Sequence, residues 1–499
     1  MKMSKYQRLH PLVILKKSIS WSYSFVLILI FDILRNPSDG PNWFFSISIF
    51  GALIAVAIIF NAYQWVTFKY QISSTTLSIK TGIFFKREQI IPFSRIQSIH
   101  QESWFLFRPF QIIKLTIETA SSGSKVENTI LEVVPQSTYD LLEKLRLGKN
   151  DIIDTNINQT NEQHYKEQYS VSLNDIIVFS LVDFDVLSGL LGLVAAVYQF
   201  SNFSDKYLNP FLNKVVTSGL LIISSFIIII IVVTIFVSIA KNIFKYYKFK
   251  VYRELDNIII ERGFFTRTIL SVPIERIQAI RTKGSLLQIL LSIRSVELLL
   301  ASGKKSENNE NTEDTTFFLF PIINRRLLST KLAQIIPEFT ETLNQKEPQS
   351  FPCPPHYFLF SRFHFLGLFL LIPLFFWNSS SGWKFLFVIL ILSFTLLSVI
   401  SSIWKTKIQS STYYEKGLLT IKTVHFFILN EYLCPLNKIQ SISISTTPFL
   451  YYQKLGHTTL SLKTGETALK IKLKYLSWPI CENIKKCCSP KIKKYTLKK

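Results

Sequence analysis

Residues 92–99 read Pro92-Phe93-Ser94-Arg95-Ile96-Gln97-Ser98-Ile99, and the pattern returns at Pro273-Ile274-Glu275-Arg276-Ile277-Gln278-Ala279-Ile280 and at Pro435-Leu436-Asn437-Lys438-Ile439-Gln440-Ser441-Ile442. Its shared elements are a proline, then a basic residue, an isoleucine, a glutamine, a small residue and a second isoleucine. Chance does not reproduce residue type and spacing together, so the sequence predicts an internal repeat in three copies.

The residues around each copy of this pattern have the period of β-strands. Leu77 and Ile79 alternate with polar residues before the first copy, and the other two copies repeat this alternation. Gly82 and Gly263 stand where a tight turn with positive φ is expected, whereas the third copy has Val424 there. A helical stretch closes each copy. The unit is therefore predicted to be a small antiparallel β domain with one C-terminal helix.

The composition limits the class of protein. The chain has 499 residues, of which 48% are hydrophobic and 18% charged, yet its formal net charge is +23. Apolar and basic character can coexist at these levels only if they are segregated along the chain, which excludes a disordered protein and argues against one large soluble enzyme. Five cysteines without paired spacing exclude a disulfide scaffold.

Six apolar runs are long enough to cross a bilayer core about 30 Å thick as helices. They come in pairs joined by short polar connections, which predicts three helical hairpins, each before one β unit: 18–34, 43–66, 176–200, 215–239, 358–377 and 383–404. Each run could instead be a buried core helix, and the first could be a cleaved signal peptide. The stretch Phe31-Asp32-Ile33-Leu34-Arg35 offers no small-residue cleavage site, which favours an uncleaved anchor.

Basic residues indicate the orientation of the predicted hairpins. They precede the first run and follow the second, fourth and sixth runs, whereas the short connections carry few. The positive-inside rule therefore predicts that both termini and the β units face the cytoplasm. The predicted order is an N-terminal segment with hairpin 1 (1–68), β domain 1 (69–149), a polar linker (150–175), hairpin 2 (176–247), β domain 2 (248–340), a linker (341–357), hairpin 3 (358–404), β domain 3 (405–488) and a basic tail (489–499).

Two membrane spans followed by a β unit with this repeated pattern resemble the bacterial pleckstrin-homology-like (PH-like) domains of the YdbS/YdbT membrane-protein family. Three modules in one chain are similar to the YdbT type, and the resemblance covers nearly the whole chain. It implies an α+β membrane protein in which each hairpin precedes a split β-barrel with a capping helix, at the cytoplasmic face of a bacterial inner membrane. It implies no established catalytic activity, and it suggests a small one-module relative as a protein partner.

The basic residue of each copy is a candidate for a binding face. Arg95, Arg276 and Lys438 could pair with lipid phosphates or acidic peptide groups, or they could be structural residues of a fold that recurs. The glutamines that follow are expected to satisfy buried backbone groups: Gln97, Gln278 and Gln440.

The C-terminus is strongly basic. Its lysines are candidates for contact with anionic lipid, at about 1 kcal/mol each close to a cytoplasmic leaflet: Lys485, Lys486, Lys491, Lys493 and Lys494. Nucleic-acid binding and a plain solvated tail are the alternatives. The anchoring spans make membrane lipid the nearer polyanion, so no nucleic acid is expected as a partner.

Few residues indicate chemistry. Asp183 and Asp185 lie early in the third apolar run, but two residues apart on a helix they face different directions, and a position at the interface is favoured. His356, His364 and the pair Cys487-Cys488 lack metal-ligand spacing, and no nucleotide-binding or hydrolase motif occurs. The sequence therefore predicts no cofactor, no metal and no catalytic residue.

Together these patterns predict a non-enzymatic integral membrane protein, a scaffold or accessory factor of the cell envelope. Its three cytoplasmic modules would contact lipid headgroups or protein partners, and tethering would raise the effective concentration of weak contacts. The main alternative is a transporter or channel component that uses the six helices, which would need polar residues along a path. A membrane enzyme would need a convergent acid, base or metal cluster, which the sequence does not offer.

Overall fold

The structure is a computed structural model that describes residues 6–20, 43–82, 85–119, 129–146, 168–182, 220–301, 316–340, 349–352, 381–414, 417–425, 427–464 and 467–496. The chain divides into two compact units, Met1–Pro273 and Ile274–Lys499. The predicted spans 18–34 and 176–200 lie mostly outside the described residues, and 358–377 lies wholly outside them.

Helices of the first unit are α1 (Leu12–Ser20), α2 (Trp43–Thr67), α3 (Gln136–Arg146), α4 (Leu173–Val182) and α5 (Leu220–Tyr246). α1 packs against α2, where the indole Nε1 of Trp65 donates to the carbonyl of Leu9 at 2.7 Å. α4 packs against α5, and the rings of Phe179 and Tyr246 meet edge to face. In this unit, each long helix therefore packs against a shorter helix that precedes it in the same repeat.

Two sheets form the β structure of the first unit. The first has the order β1-β2-β3: β1 (Lys69–Ile72), β2 (Thr76–Thr81) and β3 (Arg87–Pro92). The second has seven strands in the order β6-β5-β4-β10-β9-β8-β7: β4 (Ile96–Trp104), β5 (Ile112–Thr119), β6 (Thr129–Pro135), β7 (Tyr169–Ser170), β8 (Lys250–Glu254), β9 (Asn257–Arg262) and β10 (Thr266–Pro273). All pairings in both sheets are antiparallel.

One apolar core joins both sheets of the first unit to helix α3. Leu77 on β2, Leu115 on β5 and Leu142 on α3 are all fully buried in it. α1 is attached beside this core by an ion pair between Lys16 and Glu132 at 2.8 Å. Burial acts to raise the pKa of Glu132, but Lys16 and its neighbouring lysines outweigh burial and lower that pKa. The first repeat therefore folds as two small sheets packed around one interior, with α3 closing it.

The second unit also contains one seven-stranded and one three-stranded sheet, but here the seven-stranded sheet comes first along the chain. Its seven-stranded sheet has the order β13-β12-β11-β17-β16-β15-β14: β11 (Ile277–Gly284), β12 (Ile293–Leu300), β13 (Thr316–Asn324), β14 (Gln349–Pro352), β15 (Ser410–Tyr414), β16 (Leu418–His425) and β17 (Ile428–Pro435). Its three-stranded sheet has the order β18-β19-β20: β18 (Ile439–Ser445), β19 (Leu455–Thr464) and β20 (Thr467–Ser477). Its helices are α6 (Leu286–Leu290), α7 (Arg325–Ile335), α8 (Pro337–Thr340), α9 (Ser381–Ile408), α10 (Pro448–Tyr452) and α11 (Trp478–Thr496).

The core of the third repeat includes side chains from the second. Ile421 on β16, Leu462 on β19 and Ile484 on α11 form it, and Ala279 and Leu299 of the second repeat are buried in the same cluster. Neighbouring repeats in this unit therefore share apolar interior as well as backbone hydrogen bonds.

Two helices of the described residues are long and apolar enough to cross a membrane, Ser46–Thr67 within α2 and Ile391–Ile408 within α9. They coincide with the second and sixth predicted spans. α5, with 27 residues, coincides with the fourth. The described helices therefore do not cover all six predicted spans, and the arrangement of six spans in three hairpins stays a prediction.

A short extended segment precedes the helices of each repeat and pairs with that repeat's first strand. Gln7 bridges to Tyr70, Tyr169 faces Val251 and Phe351 faces Ser411. In the second and third repeats these segments are β7 and β14, at the ends of the stretches predicted as linkers, 150–175 and 341–357. The chain therefore forms part of each β domain both before and after its membrane-type helices.

Both seven-stranded sheets cross from one repeat to the next. β4 of the first repeat pairs with β10 of the second, and β11 of the second pairs with β17 of the third. The register is the same in both. Counted from the proline of each repeated pattern, Gln101 at position +9 faces Ile269 at position −4 of the next copy, and Thr282 at +9 faces Glu431 at −4. Adjacent repeats are thus joined by one repeated strand pair, and the sequence did not predict this.

This register gives a direct covalent test. Cysteines at Thr282 and Glu431 should form an intrachain disulfide, because directly opposed residues of an antiparallel pair bring their Cβ atoms to about 4.5–5.5 Å. Mass spectrometry of unreduced peptides from the full-length chain in detergent would detect the cross-link. The matched control is Thr282→Cys with Asn430→Cys, one residue out of register, whose side chains leave opposite faces of the sheet. Equal yields from the two pairs would contradict the register.

Candidate functional site

The repeated pattern forms a corner between two sheets. In the first repeat, Pro92 ends β3 and a 3-10 turn over Phe93–Arg95 leads into β4 of the next sheet. Pro92 has φ −65° and Pro435, at the same place in the third repeat, has φ −67°. Proline fixes this φ before folding, so it favours the turn. The pattern is therefore a structural element that redirects the chain.

The glutamine of the pattern is the extra residue of a β-bulge. The strand register shifts across Gln97, across Gln278 and across Gln440, so the bulge occurs in all three copies. In a regular strand, side chains alternate between faces, so two residues three apart lie on opposite faces. The extra residue of a bulge brings them to the same face. In the first repeat this buries both Ile96 and Ile99 in the core.

The structure places the six motif residues in differing surroundings. Arg95 is exposed, whereas Arg276 is partly buried. Lys438 donates from Nζ to the carbonyl of Glu275 at 2.7 Å, across the junction of the second and third repeats. Gln278 is buried, and its Nε2 donates to the Arg276 carbonyl at 3.4 Å. Gln97 is partly buried and Gln440 exposed.

The C-terminal lysines lie on a helix. α11 extends to Thr496, so the segment predicted as a basic tail from 489 is helical over most of its length. Lys485 and Lys486 are exposed on this helix. Lys491, Lys493 and Lys494 follow on the same helix, and their side chains lie outside the described part of the structure.

A β-hairpin turn packs against the C-terminal end of α5. The backbone N–H groups of Gly263 and Phe264 donate to the carbonyls of Tyr247 and Phe244 at 3.0 and 2.9 Å. They satisfy carbonyls that the end of a helix would leave without partners. Gly263 has φ +108° and Gly82 of the first repeat has φ +116°, as the sequence predicts for a turn that needs glycine.

An apolar groove of about 660 Å³ with a cationic rim lies between α5 and this β9–β10 hairpin. Phe236 and Val237 line its helix side and are 71% and 58% exposed. Phe265 of the hairpin lines the opposite side. Three basic residues lie along the same groove: Lys241, Lys245 and Arg262. The groove begins where the predicted membrane span 215–239 ends, so its apolar side continues toward the span and its cations lie beyond it.

The first repeat has a related groove of about 540 Å³ between α1, the end of α2 and the β2–β3 hairpin. Trp65 and Phe85 supply its aromatic lining, and Lys17 and Arg87 supply its cations. Phe85, on the hairpin, is 87% exposed. Grooves with aromatic linings and basic residues therefore occur at the helix–hairpin contact of both repeats in the first unit.

A buried polar cluster lies on the crossing strand of the first unit. Ser98 donates from Oγ to Glu118 Oε2 at 2.6 Å, and His100 Nε2 lies 3.3 Å from Glu118 Oε1. All three residues are less than a tenth exposed. The serine proton is directed to the carboxylate and not to the imidazole, which is not the arrangement of an activated nucleophile. The cluster is best explained as a structural polar network of the sheet.

The second unit has an ion-pair cluster at the equivalent strand position. Arg281 bonds from Nε to Glu297 Oε2 at 2.7 Å on one neighbouring strand, and it faces Tyr432 on the other. Lys283 also reaches Glu297, at 2.6 Å. Burial raises the pKa of Tyr432, although Arg281 acts in the opposite direction. This cluster connects three adjacent strands from two repeats, so it favours one register of the crossing pair.

Several residues considered in the sequence lie outside the described part of the structure: Asp183, Asp185, His356 and His364. Cys487 lies on α11, partly buried. Among the described residues, no group of three histidine, cysteine or carboxylate side chains is placed to hold a metal ion.

Comparison with known proteins agrees with this architecture. Residues 25–145 and 207–319 match the bacterial PH domain family. The chain is also 23% identical over 410 residues, 78% of its length, to the UPF0699 transmembrane protein YdbT of Bacillus subtilis (strain 168), of which it covers 80%. This is a YdbT-like membrane protein with bacterial PH domains.

The matched PH-domain segments include helices as well as strands. The first covers α2, β1 to β6 and most of α3, and the second covers α5 and β8 to β12. The third repeat, β15 to β20 with α11, lies beyond both matches and has the same order of elements. No solved structure matches the chain.

Two neighbouring substitutions distinguish a structural role of the repeated pattern from a binding role. Ile96→Ala should lower the free energy of unfolding by about 2–4 kcal/mol, because Ile96 is buried in the core. Arg95→Ala should change it by less than about 0.5 kcal/mol, because Arg95 is exposed. Thermal unfolding of the full-length chain in detergent measures both. An equal loss of stability in the two variants would show that Arg95 has a structural partner.

Proposed function

We propose that this protein is a non-enzymatic, multi-pass protein of the bacterial inner membrane that displays three PH-like modules on the cytoplasmic side. The modules contact anionic lipid headgroups, and the protein acts as a scaffold or accessory factor of the envelope. The third module is included because its strands and closing helix repeat the order of the first two. The cytoplasmic orientation is inferred from the basic residues that flank the spans.

The groove beside α5 is the observation that carries the lipid proposal. A membrane lipid has an apolar part and a charged phosphate a short distance away, and the groove has the same order. Phe236 and Val237 lie toward the predicted span, and Lys241 and Lys245 follow about one and two turns later on the same helix. Arg262 approaches from the hairpin. A headgroup that enters from the bilayer would meet the apolar side first and then the cations.

The basic C-terminal helix provides a second contact with the membrane surface. Lys485 and Lys486 are exposed on α11, and three further lysines follow on it. Each lysine near an anionic leaflet adds about 1 kcal/mol of attraction, screened within a Debye length of about 8 Å. Several weak contacts from modules on one chain act together because tethering fixes their effective concentration.

Lipid retention by groove variants tests the proposal. The triple variant Lys241→Gln, Lys245→Gln, Arg262→Gln should bind phosphatidylglycerol about tenfold more weakly than the parent, because three cations are lost from one site. The readout is native mass spectrometry of the full-length chain in mild detergent, titrated with phosphatidylglycerol or with phosphatidylcholine.

The matched control carries the same change of charge outside the groove: Lys248→Gln, Lys250→Gln, Arg253→Gln. It should retain phosphatidylglycerol like the parent, while phosphatidylcholine binding should be unaffected in all three proteins. If the two triple variants lost phosphatidylglycerol equally, the attraction would be a general effect of charge, and the groove would not be the binding site.

A further inference from the structure

The crossing strand pairs follow a rule that leaves two strands of the described part of the chain without a crossing partner. In the first two repeats, the strand that follows the repeated pattern pairs with the strand that precedes the pattern in the next repeat: β4 pairs with β10, and β11 pairs with β17. Among the described residues, β18 is an edge of the sheet β18-β19-β20, and β3 is an edge of the sheet β1-β2-β3.

From this pattern we infer that β18 of one molecule pairs with β3 of a second copy of this chain, continuing the same antiparallel sheet from copy to copy. The repeated register fixes the pairing. Position +8 faces position −3 in the second crossing, where Arg281 faces Tyr432. By the same rule Ser443 faces Gln89 and Ile442 faces Ile90.

The surface of β18 has the properties of a strand that is normally covered. Ser441 occupies position +6, where Ser98 and Ala279 of the other two repeats are 1% and 0% exposed, yet Ser441 is exposed. The whole strand carries no charged residue. Edge strands that must stay single are usually protected by charge, above all by lysine.

The opposite edge of the same sheet shows that contrast. β20 presents exposed Lys470, Lys472 and Lys474 along its length. A row of lysines discourages the addition of another strand, whereas a row of serine and isoleucine permits it. One edge of this sheet is therefore protected, and the edge that the repeat rule assigns to pairing is not.

β3 carries charge at its start, at the exposed Arg87 and Glu88, whereas its end is apolar. Ile90, at position −2, is 60% exposed, while Ser271 and Leu433 at the same position of β10 and β17 are each 8% exposed. In the inferred register Ile90 lies opposite Ile442, and such cross-strand apolar pairs stabilise a sheet. Because the chain carries both open edges, a second copy in the same membrane and the same orientation can supply the partner. A contact of this head-to-tail kind extends to further copies or closes a ring.

Disulfide trapping in native membranes tests this inference. Two differently tagged full-length chains, one with Ser443→Cys and the other with Gln89→Cys, are co-expressed and oxidised. They should give a covalent heterodimer. The matched control pairs Ser443→Cys with Ile90→Cys, whose side chain leaves the other face of the sheet, and its yield should be about tenfold lower. Each single variant with the parent chain measures the background from native cysteines.

A chain that carries both Ser443→Cys and Gln89→Cys should give products larger than a dimer, because each copy then has two linking edges. Ser441→Lys added to the Ser443→Cys chain should reduce trapping about tenfold by burying a charge in the contact. Ala468→Lys on the protected edge should leave it unchanged.

The intrachain pair Thr282→Cys with Glu431→Cys shows in the same membranes that the oxidation works. If that control forms and the 443–89 heterodimer does not, the inference is wrong. It is equally wrong if the Ser443→Cys chain is trapped only by a different protein, such as a one-module relative, or if the 443–90 pair links as well as the 443–89 pair.

Discussion

An antiparallel strand at the edge of a sheet has backbone N–H and C=O groups that need partners, and in this protein the neighbouring repeat supplies them. β4 and β11 would each be an edge if the repeats folded separately. Pairing them with β10 and β17 removes four edges from two sheets. Buried polar groups lie on these crossing strands: Ser98 and His100 contact Glu118 on the neighbouring strand in one unit, and Arg281 contacts Glu297 in the other.

The repeated sequence pattern makes this arrangement possible at each junction. Its proline starts the turn that leaves one sheet, and its glutamine forms the bulge that lets two isoleucines three residues apart face the same core. The strand that emerges from the bulge then has the core on one face and the next repeat at its open edge. The basic residue of the pattern contributes differently in each copy, from exposed Arg95 to Lys438, which contacts the preceding repeat.

Local features of the fold could be predicted from the sequence, and long-range pairings could not. Alternation at Leu77 and Ile79 indicates a strand, and Gly82 and Gly263 adopt the positive φ expected of them. The spacing of the two isoleucines also contained a signal for the bulge, since strict alternation cannot put both in one core. The crossing of strands between repeats gave no such signal, because any exposed edge of suitable pattern can accept any other. The groove beside α5 was missed because it depends on where the β9–β10 hairpin folds back, and Lys241 and Lys245 resemble ordinary flanking charges in the sequence.

Membrane anchoring and the repeat junctions act on the same elements. The β9–β10 hairpin packs against the end of α5, and β10 also pairs with β4 of the first repeat. A lipid held against Lys241 and Phe265, as we propose, would therefore contact the same sheet that links two repeats. Amide hydrogen exchange of the full-length chain in detergent tests the junctions most directly. Amides of β10 and β17 should exchange as slowly as those of β5 and β12, which pair on both sides within one repeat, because all four strands have neighbours on both sides. Exchange in β10 and β17 as fast as in the edge strand β20 would contradict the continuous sheets.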